Sequence, residues 1–276
     1  MAELTPRQVW LDERLHCLEW GEAEAAPVLL VHGITGNAHN WDPLATVAAA
    51  HHRIVALDLR GHGESAWAVG ETYEHLDYIA DLLAAIDQLG APVPLVGHSI
   101  GGHICLILAA LRPGLVASLV LVDIEAFPPR EQPEKLRRAG ARAHPFFADL
   151  DTVVQDIHAH LPRIPHELAR AKAVHDTVPQ PDGSRANRFD RGVLRRVTAP
   201  DARPYLPRIG CPVLLVRGAE SSVMRASAAR EMALAVPDAT LVEIPAAGHW
   251  PQLENPEAFA SAVTAFLERH PRGPRQ

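Results

Sequence analysis

The chain has 276 residues, 47% hydrophobic and 21% charged, with 26 basic against 33 acidic side chains and a formal net charge of −7. This composition belongs to a globular chain able to bury a substantial core, and it excludes a disordered or fibrous one. The acidic balance leaves no basic footprint for nucleic acid or an anionic membrane, so neither is expected as a partner.

In chain order, Val9, Leu11, Leu15 and Cys17 alternate within residues 8–20 and predict a hairpin ahead of the main fold. Short apolar runs at 27–31, 53–57, 93–96, 119–122, 213–216 and 240–244 predict buried strands. Stretches of helical length lie at 40–50, 75–89, 101–111, 226–236 and 256–269. Continuous apolar strands alternating with helices predict an α/β fold: a mostly parallel sheet flanked by helices on both faces. From 124 to 208 no strand-like run occurs; the segment is rich in Pro, Arg, His and Ala, with helical pieces at 134–143, 151–160 and 166–175. It reads as a helical insertion into a core made of residues 1–123 and 209–276. The longest strongly apolar run is eight residues, 104–111, against the ~20 of a membrane helix. The opening MAELTPRQVW has no signal-peptide pattern, so a cytoplasmic location is expected. Cys17, Cys105 and Cys211 lie far apart and predict no disulfide framework.

Gly97-His98-Ser99-Ile100-Gly101 matches G-x-S-x-G between a predicted strand and a predicted helix. That context suits a nucleophile elbow, a sharp turn that lifts the serine clear of the sheet while flanking glycines avoid clashes. The following helix N-terminus brings backbone N–H groups and a positive dipole end toward developing negative charge. With Val31-His32-Gly33, the segment from Asp58 to Ser65, Gly102, and Gly248-His249-Trp250-Pro251, this chain resembles the α/β-hydrolase family over nearly its whole length. The resemblance implies an α/β-hydrolase fold whose inserted segment is a helical cap. It implies Ser99 as nucleophile, His249 as base, and an oxyanion hole from the N–H groups of Ile34 and Ile100. His32 reads as a turn-ordering residue, and the Asp58–Ser65 segment as a loop-ordering element. No metal spacing such as HExxH occurs, and no metal or organic cofactor is implied.

The acid is the point of departure. The family usually carries it after the next-to-last strand, in a segment like R-G-x-x-S-D; here Arg217-Gly218-Ala219-Glu220-Ser221-Ser222 puts Ser222 at that position. Asp123, ending the strand at 119–122, is the leading substitute, because some relatives place their acid after that same strand. Glu220, Glu125 or no acid at all are the alternatives. The implied activity is hydrolysis of a small apolar carboxylic ester or lactone through an acyl-enzyme. C–C hydrolysis of a diketone on the same site, or a ligand-binding fold with little turnover, are the other readings. A serine nucleophile argues against haloalkane dehalogenase or epoxide hydrolase action, which use Asp there. Phe127, Phe146, Phe147, Phe189 and Tyr205 are expected to supply the apolar lining of the cap or to form its own core.

Overall fold

A computed structural model describes residues 5–70, 72–142 and 146–271. In chain order its elements are β1 Arg7–Trp10, β2 His16–Trp20, β3 Pro27–Val31, α1 Asp42–Ala48, β4 Arg53–Leu57, α2 His75–Leu89, β5 Val93–His98, α3 Ile100–Leu111 and β6 Val116–Val122. There follow α4 Glu131–Gly140, β7 Phe146–Phe147, α5 Leu150–His160, α6 His166–Asp176, β8 Thr177–Pro179, β9 Arg185–Asn187 and α7 Gly192–Arg195. The chain closes with β10 Val213–Gly218, α8 Ala226–Ala235, β11 Ala239–Ile244, α9 Pro251–Glu254 and α10 Pro256–Arg269.

Eight strands form one sheet in the order β1-β2-β4-β3-β5-β6-β10-β11. The β1–β2 and β2–β4 pairs are antiparallel and the rest are parallel. The pleat sends alternate residues into two cores. Leu29, Val31, Leu119, Leu121, Val213 and Leu215 face the side covered by α2, α3 and α8. Val28, Leu30, Val120, Val122, Leu214 and Val216 face the side covered by α1 and α10. Both faces are therefore dry, which is why these strands read as unbroken apolar runs. The three cysteines are buried and free.

The segment between β6 and β10 is not purely helical. Beside α4 to α7 it holds an antiparallel sheet, β7-β9-β8. Strands of two or three residues are too short to show an alternation, so the sequence pattern carries no trace of them. Val153, Val154, Ile157, Leu161, Ala169 and Ala173 form a separate small core there, closed by Leu253. Asp149 caps α5 through Thr152 N–H at 2.8 Å. No helix among the described residues is long and apolar enough to cross a membrane.

Candidate active site

The parallel strands end on one edge, and that edge carries the chemistry-bearing residues. Val122 pairs with His98 in register, so the residues that follow, Asp123 and Ser99, leave β6 and β5 side by side. Ser99 N–H donates to Val122 C=O at 3.0 Å, and Asp123 N–H to Val216 C=O at 2.7 Å. Ser99 holds φ 53° and ψ −124°, a strained conformation for a side-chain-bearing residue. The neighbours make room for it: a Cβ on Gly97 would lie 2.6 Å from Gly102 Cα, and one on Gly101 would lie 2.4 Å from His32 O. Only glycine permits this approach of β5, α3 and the loop after β3.

His249 sits on the loop after β11. Its Nε2 is 3.2 Å from Ser99 Oγ, and its Nδ1 is 2.9 Å from Asp123 Oδ1. Asp123 is fully buried, yet three donors reach it: His249 Nδ1–H, the Ser221 hydroxyl at 2.6 Å on Oδ1, and Gly218 N–H at 2.9 Å on Oδ2. Those bonds offset the cost of burying a carboxylate. They also select one imidazole tautomer, with the proton on Nδ1 and the Nε2 lone pair facing Ser99. Ser221 Oγ accepts from Val223 N–H at 3.1 Å and Met224 N–H at 3.0 Å, which turns its own proton toward Asp123. Arg217 braces the same loop through Met224 C=O, Ala219 C=O and Glu243.

The other acid candidates lie apart from the imidazole. Glu220 is exposed and ion-paired with Arg163. Glu125 is buried and committed to Arg225, with both carboxylate oxygens engaged. Ser222, placed by the family pattern at the customary acid position, is exposed; its neighbour Ser221 is the one that turns inward to Asp123. The loop conformation, fixed by the Ser221 capping bonds, decides which of the two faces in.

A cavity of about 80 Å³ opens over Ser99, with Ile34, Ile100 and Asp123 in its wall. More than half of its lining comes from the segment after β6, including Pro128, Leu136, Val197 and Ala199. His75 and His103 form a polar patch in this apolar wall: His75 Nε2 lies 3.1 Å from His103 Nδ1, and His75 Nδ1 lies 3.0 Å from Thr198 Oγ1. Burial pushes His75 down to about 3 and His103 to about 4, so both are neutral. Among the described residues, no Lys or Arg lines the cavity.

Of the two roles expected for the aromatics, cavity lining is not found, and core packing is found for Phe147, Phe189 and Tyr205. None of Phe127, Phe146, Phe147, Phe189 and Tyr205 lines this cavity. Phe127 is exposed under the Arg203 guanidinium, 4.2 Å from its ring centroid. Phe146 is exposed, and Phe147 packs on the small core of the inserted segment. Phe189 and Tyr205 belong to the main core. Branched aliphatic and proline side chains line the pocket instead, and sequence pattern cannot separate them from ordinary core residues.

Two ordering features were expected. His32 Nδ1–H donates to Gly33 C=O at 2.7 Å and its Nε2 accepts from Leu59 N–H at 3.0 Å, so it ties two loops together. Asp58 accepts from Ala38 N–H, Glu64 N–H and His16 Nδ1–H, and does for the 58–65 loop what was anticipated.

One positioning residue went unnoticed in the sequence, although it is the first variable residue of the G-x-S-x-G motif. His98 is fully buried; its Nε2–H donates to His249 C=O at 2.8 Å, and its ring lies against the rings of His249 and Trp250. Burial holds it well below the usual imidazole range, so it stays a neutral donor. A second feature is conformational. Among the described residues, the four non-glycine positions with positive φ are Thr35, Ser99, Asp123 and Ala246. They fall in the loops after β3, β5, β6 and β11, all at this edge of the sheet. Strain of roughly 1–3 kcal/mol each is the kind retained at working sites.

The family model for the alpha/beta hydrolase fold matches residues 26–256, spanning the elbow, Asp123 and His249. The chain belongs to the α/β-hydrolase family. Among α/β-hydrolases, it is 31% identical over 252 residues to a 2-(acetamidomethylene)succinate hydrolase of Mesorhizobium japonicum, covering 90% of each chain. It is 30% identical over 269 residues to a 3-hydroxybutyrate-oligomer hydrolase of Cupriavidus necator, covering 90% of this chain and 91% of the other. A crystal structure of an E-2-(acetamidomethylene)succinate hydrolase superposes with a TM-score of 0.85 at 29% identity, over 96% of this chain and 99% of that one. Within this α/β-hydrolase, one group among the described residues has metal-ligand chemistry: His39, Asp42 and His175. It shares no residue with the cavity over Ser99.

Proposed function

We propose that the protein is a serine hydrolase of small, uncharged carboxylic esters or lactones, with Ser99 as nucleophile, His249 as base and Asp123 as the acid of the triad. The observation that carries this reading is the unbroken hydrogen-bond chain from Asp123 through His249 to Ser99, at 2.9 and 3.2 Å. A serine hydroxyl is too weakly acidic to attack a carbonyl unaided. His249 Nε2 removes its proton as Oγ bonds to the carbonyl carbon. Asp123 holds the ring and stabilises the imidazolium so formed. The carbonyl oxygen, now an oxyanion, is received by the N–H groups of Ile34 and Ile100, whose residues flank Ser99 in the cavity wall. His249 returns the proton to the departing alcohol, leaving an acyl-Ser99. A water molecule activated by the same imidazole releases the acid and restores the hydroxyl.

The cavity supports the substrate class. Its wall is mostly aliphatic, and its two histidines are neutral. With Glu125 in the wall and no Lys or Arg among the described residues there, a carboxylate-bearing substrate such as the succinate named for the Mesorhizobium japonicum relative gains no partner from the described lining. The segment 124–208 acts in this reading as a cap that closes over the acyl group.

The test is a panel of uncharged esters and lactones of graded chain length, assayed with wild type and Ser99→Ala. Wild type is expected to hydrolyse the short members. Ser99→Ala is expected to lose at least ~10³-fold in kcat/KM with an unchanged circular dichroism spectrum. An active Ser99→Ala protein refutes the mechanism.

A further inference from the structure

We propose that His39, Asp42 and His175 form a binding site for one divalent transition-metal ion of the zinc, cobalt or nickel class, bridging the sheet core to the inserted segment. His39 lies in the short turn before α1, Asp42 opens α1, and His175 comes from α6 of the inserted segment. The ligand atoms of the three residues all lie within 4.8 Å of one another. His39 Nδ1 and the Asp42 carboxylate are already 3.0 Å apart. Around a zinc ion with bonds of ~2.0–2.1 Å, tetrahedral donors sit about 3.3 Å from each other. Two of the three donors therefore stand at ligand spacing, and the third lies within 4.8 Å of both.

Two imidazoles and one carboxylate are a donor set that such ions prefer over Mg²⁺ or Ca²⁺, which take all-oxygen shells. The two rings lie nearly parallel, with centroids 3.4 Å apart and planes inclined by 15°. The nitrogen lone pair of an imidazole is the donor such an ion takes.

The frame around the site is built from both sides of the junction. Asn37 Nδ2 donates to Asp176 Oδ1 at 2.9 Å and to His175 C=O at 3.3 Å. Lys172 Nζ reaches Asn40 Oδ1 and Asp176, each at 2.9 Å. These bonds fix α6 against the turn before α1, so the two sides of the site are already held together. A cavity of about 640 Å³ has His39, Asp42 and His175 in its wall and leaves space for water to complete the coordination. His39 and Asp42 are close in sequence, but His175 is far along the chain, so no spacing motif announces the site.

The experiment uses the full chain, stripped with chelator and exchanged into metal-free buffer. Zn²⁺ is titrated by calorimetry and Co²⁺ by its visible absorption. The variants are His39→Ala, His175→Ala, Asp42→Asn and, as a control, His158→Ala/His166→Ala, which removes the other stacked histidine pair on the inserted segment. His175→Phe keeps a ring in the stack while deleting the donor, and serves if the alanine variant loses stability without metal. One saturable equivalent is expected in wild type and the control. Saturating Zn²⁺ is expected to raise their melting temperature by about 5 °C. Affinity should fall at least ~10-fold in each of the other variants. Equal affinity in wild type and the His39 and His175 variants, loss of binding in the control alone, or no saturable binding in wild type overturns the assignment.

Discussion

Asp123 is the residue on which the account turns at the smallest scale. A sequence reader can place an aspartate at the end of β6, but not the two donors that hold it. Gly218 and Ser221 stand 95 and 98 residues away and are brought in by β10, the neighbouring strand. The substitutions that follow are sharp. Asp123→Asn is nearly isosteric, so the fold should persist while kcat for a short ester falls by roughly 10²–10⁴, because the imidazole loses its tautomer control. Ser221→Ala removes one of three donors to the same carboxylate and should cost about 10-fold in kcat with KM unchanged. Glu220→Gln should be near wild type, since that side chain is exposed and engaged with Arg163. Ser222→Asp should not rescue Asp123→Asn, because Ser222 is exposed. Steady-state kinetics on the four variants checks all of this. A wild-type kcat for Asp123→Asn would remove the acid from the mechanism.

At the scale of elements, the regular parts of the fold were legible in the sequence and the irregular parts were not. The helix at 75–89 and that at 256–269 coincide with α2 and α10 to the residue. Both have clear boundary signals: a capping box at Glu74 and Asp77, and an Asn255 cap followed by Pro256. Strands β5 and β10 run two residues past the apolar runs that announced them, into His98 and Gly218, because backbone pairing continues where side chains stop being apolar. In the inserted segment, burial rather than periodicity decides which residue lines the cavity. Leu136 of α4 does, and Phe146 of β7 does not. Leu136→Ala should therefore enlarge the cavity and shift the preferred acyl chain upward by one or two carbons, whereas Phe146→Ala should leave the preference unchanged. Comparing kcat/KM across acetate to octanoate esters tests the pair. A shift with Phe146→Ala and none with Leu136→Ala would reassign the pocket wall.

Over the whole molecule, the buried histidines set an acid limit on stability. Burial pushes His62 and His75 down to about 3 and His103 to about 4, and lowers His32 and His98 as well. In the unfolded chain each takes up a proton near pH 6.5. Between that value and the folded one the unfolded state binds more protons, so stability is fully present above about pH 6.5 and falls as pH falls. At pH 5 each of His62, His75 and His103 costs about 2 kcal/mol relative to neutrality. Urea denaturation should show a midpoint that drops steeply from pH 7.5 to pH 5, and an unchanged or rising midpoint would contradict the burial of these groups as neutral rings.

On the proposed mechanism Ser99 is an activated nucleophile, and covalent labelling reports on it without any assumption about substrate. Wild-type protein treated with a serine-directed phosphonate should gain one adduct by intact mass. Peptide mapping should place it on Ser99, with none on Ser99→Ala and far slower labelling of His249→Ala. A wild-type chain that takes no label, or takes it on another residue, contradicts the account.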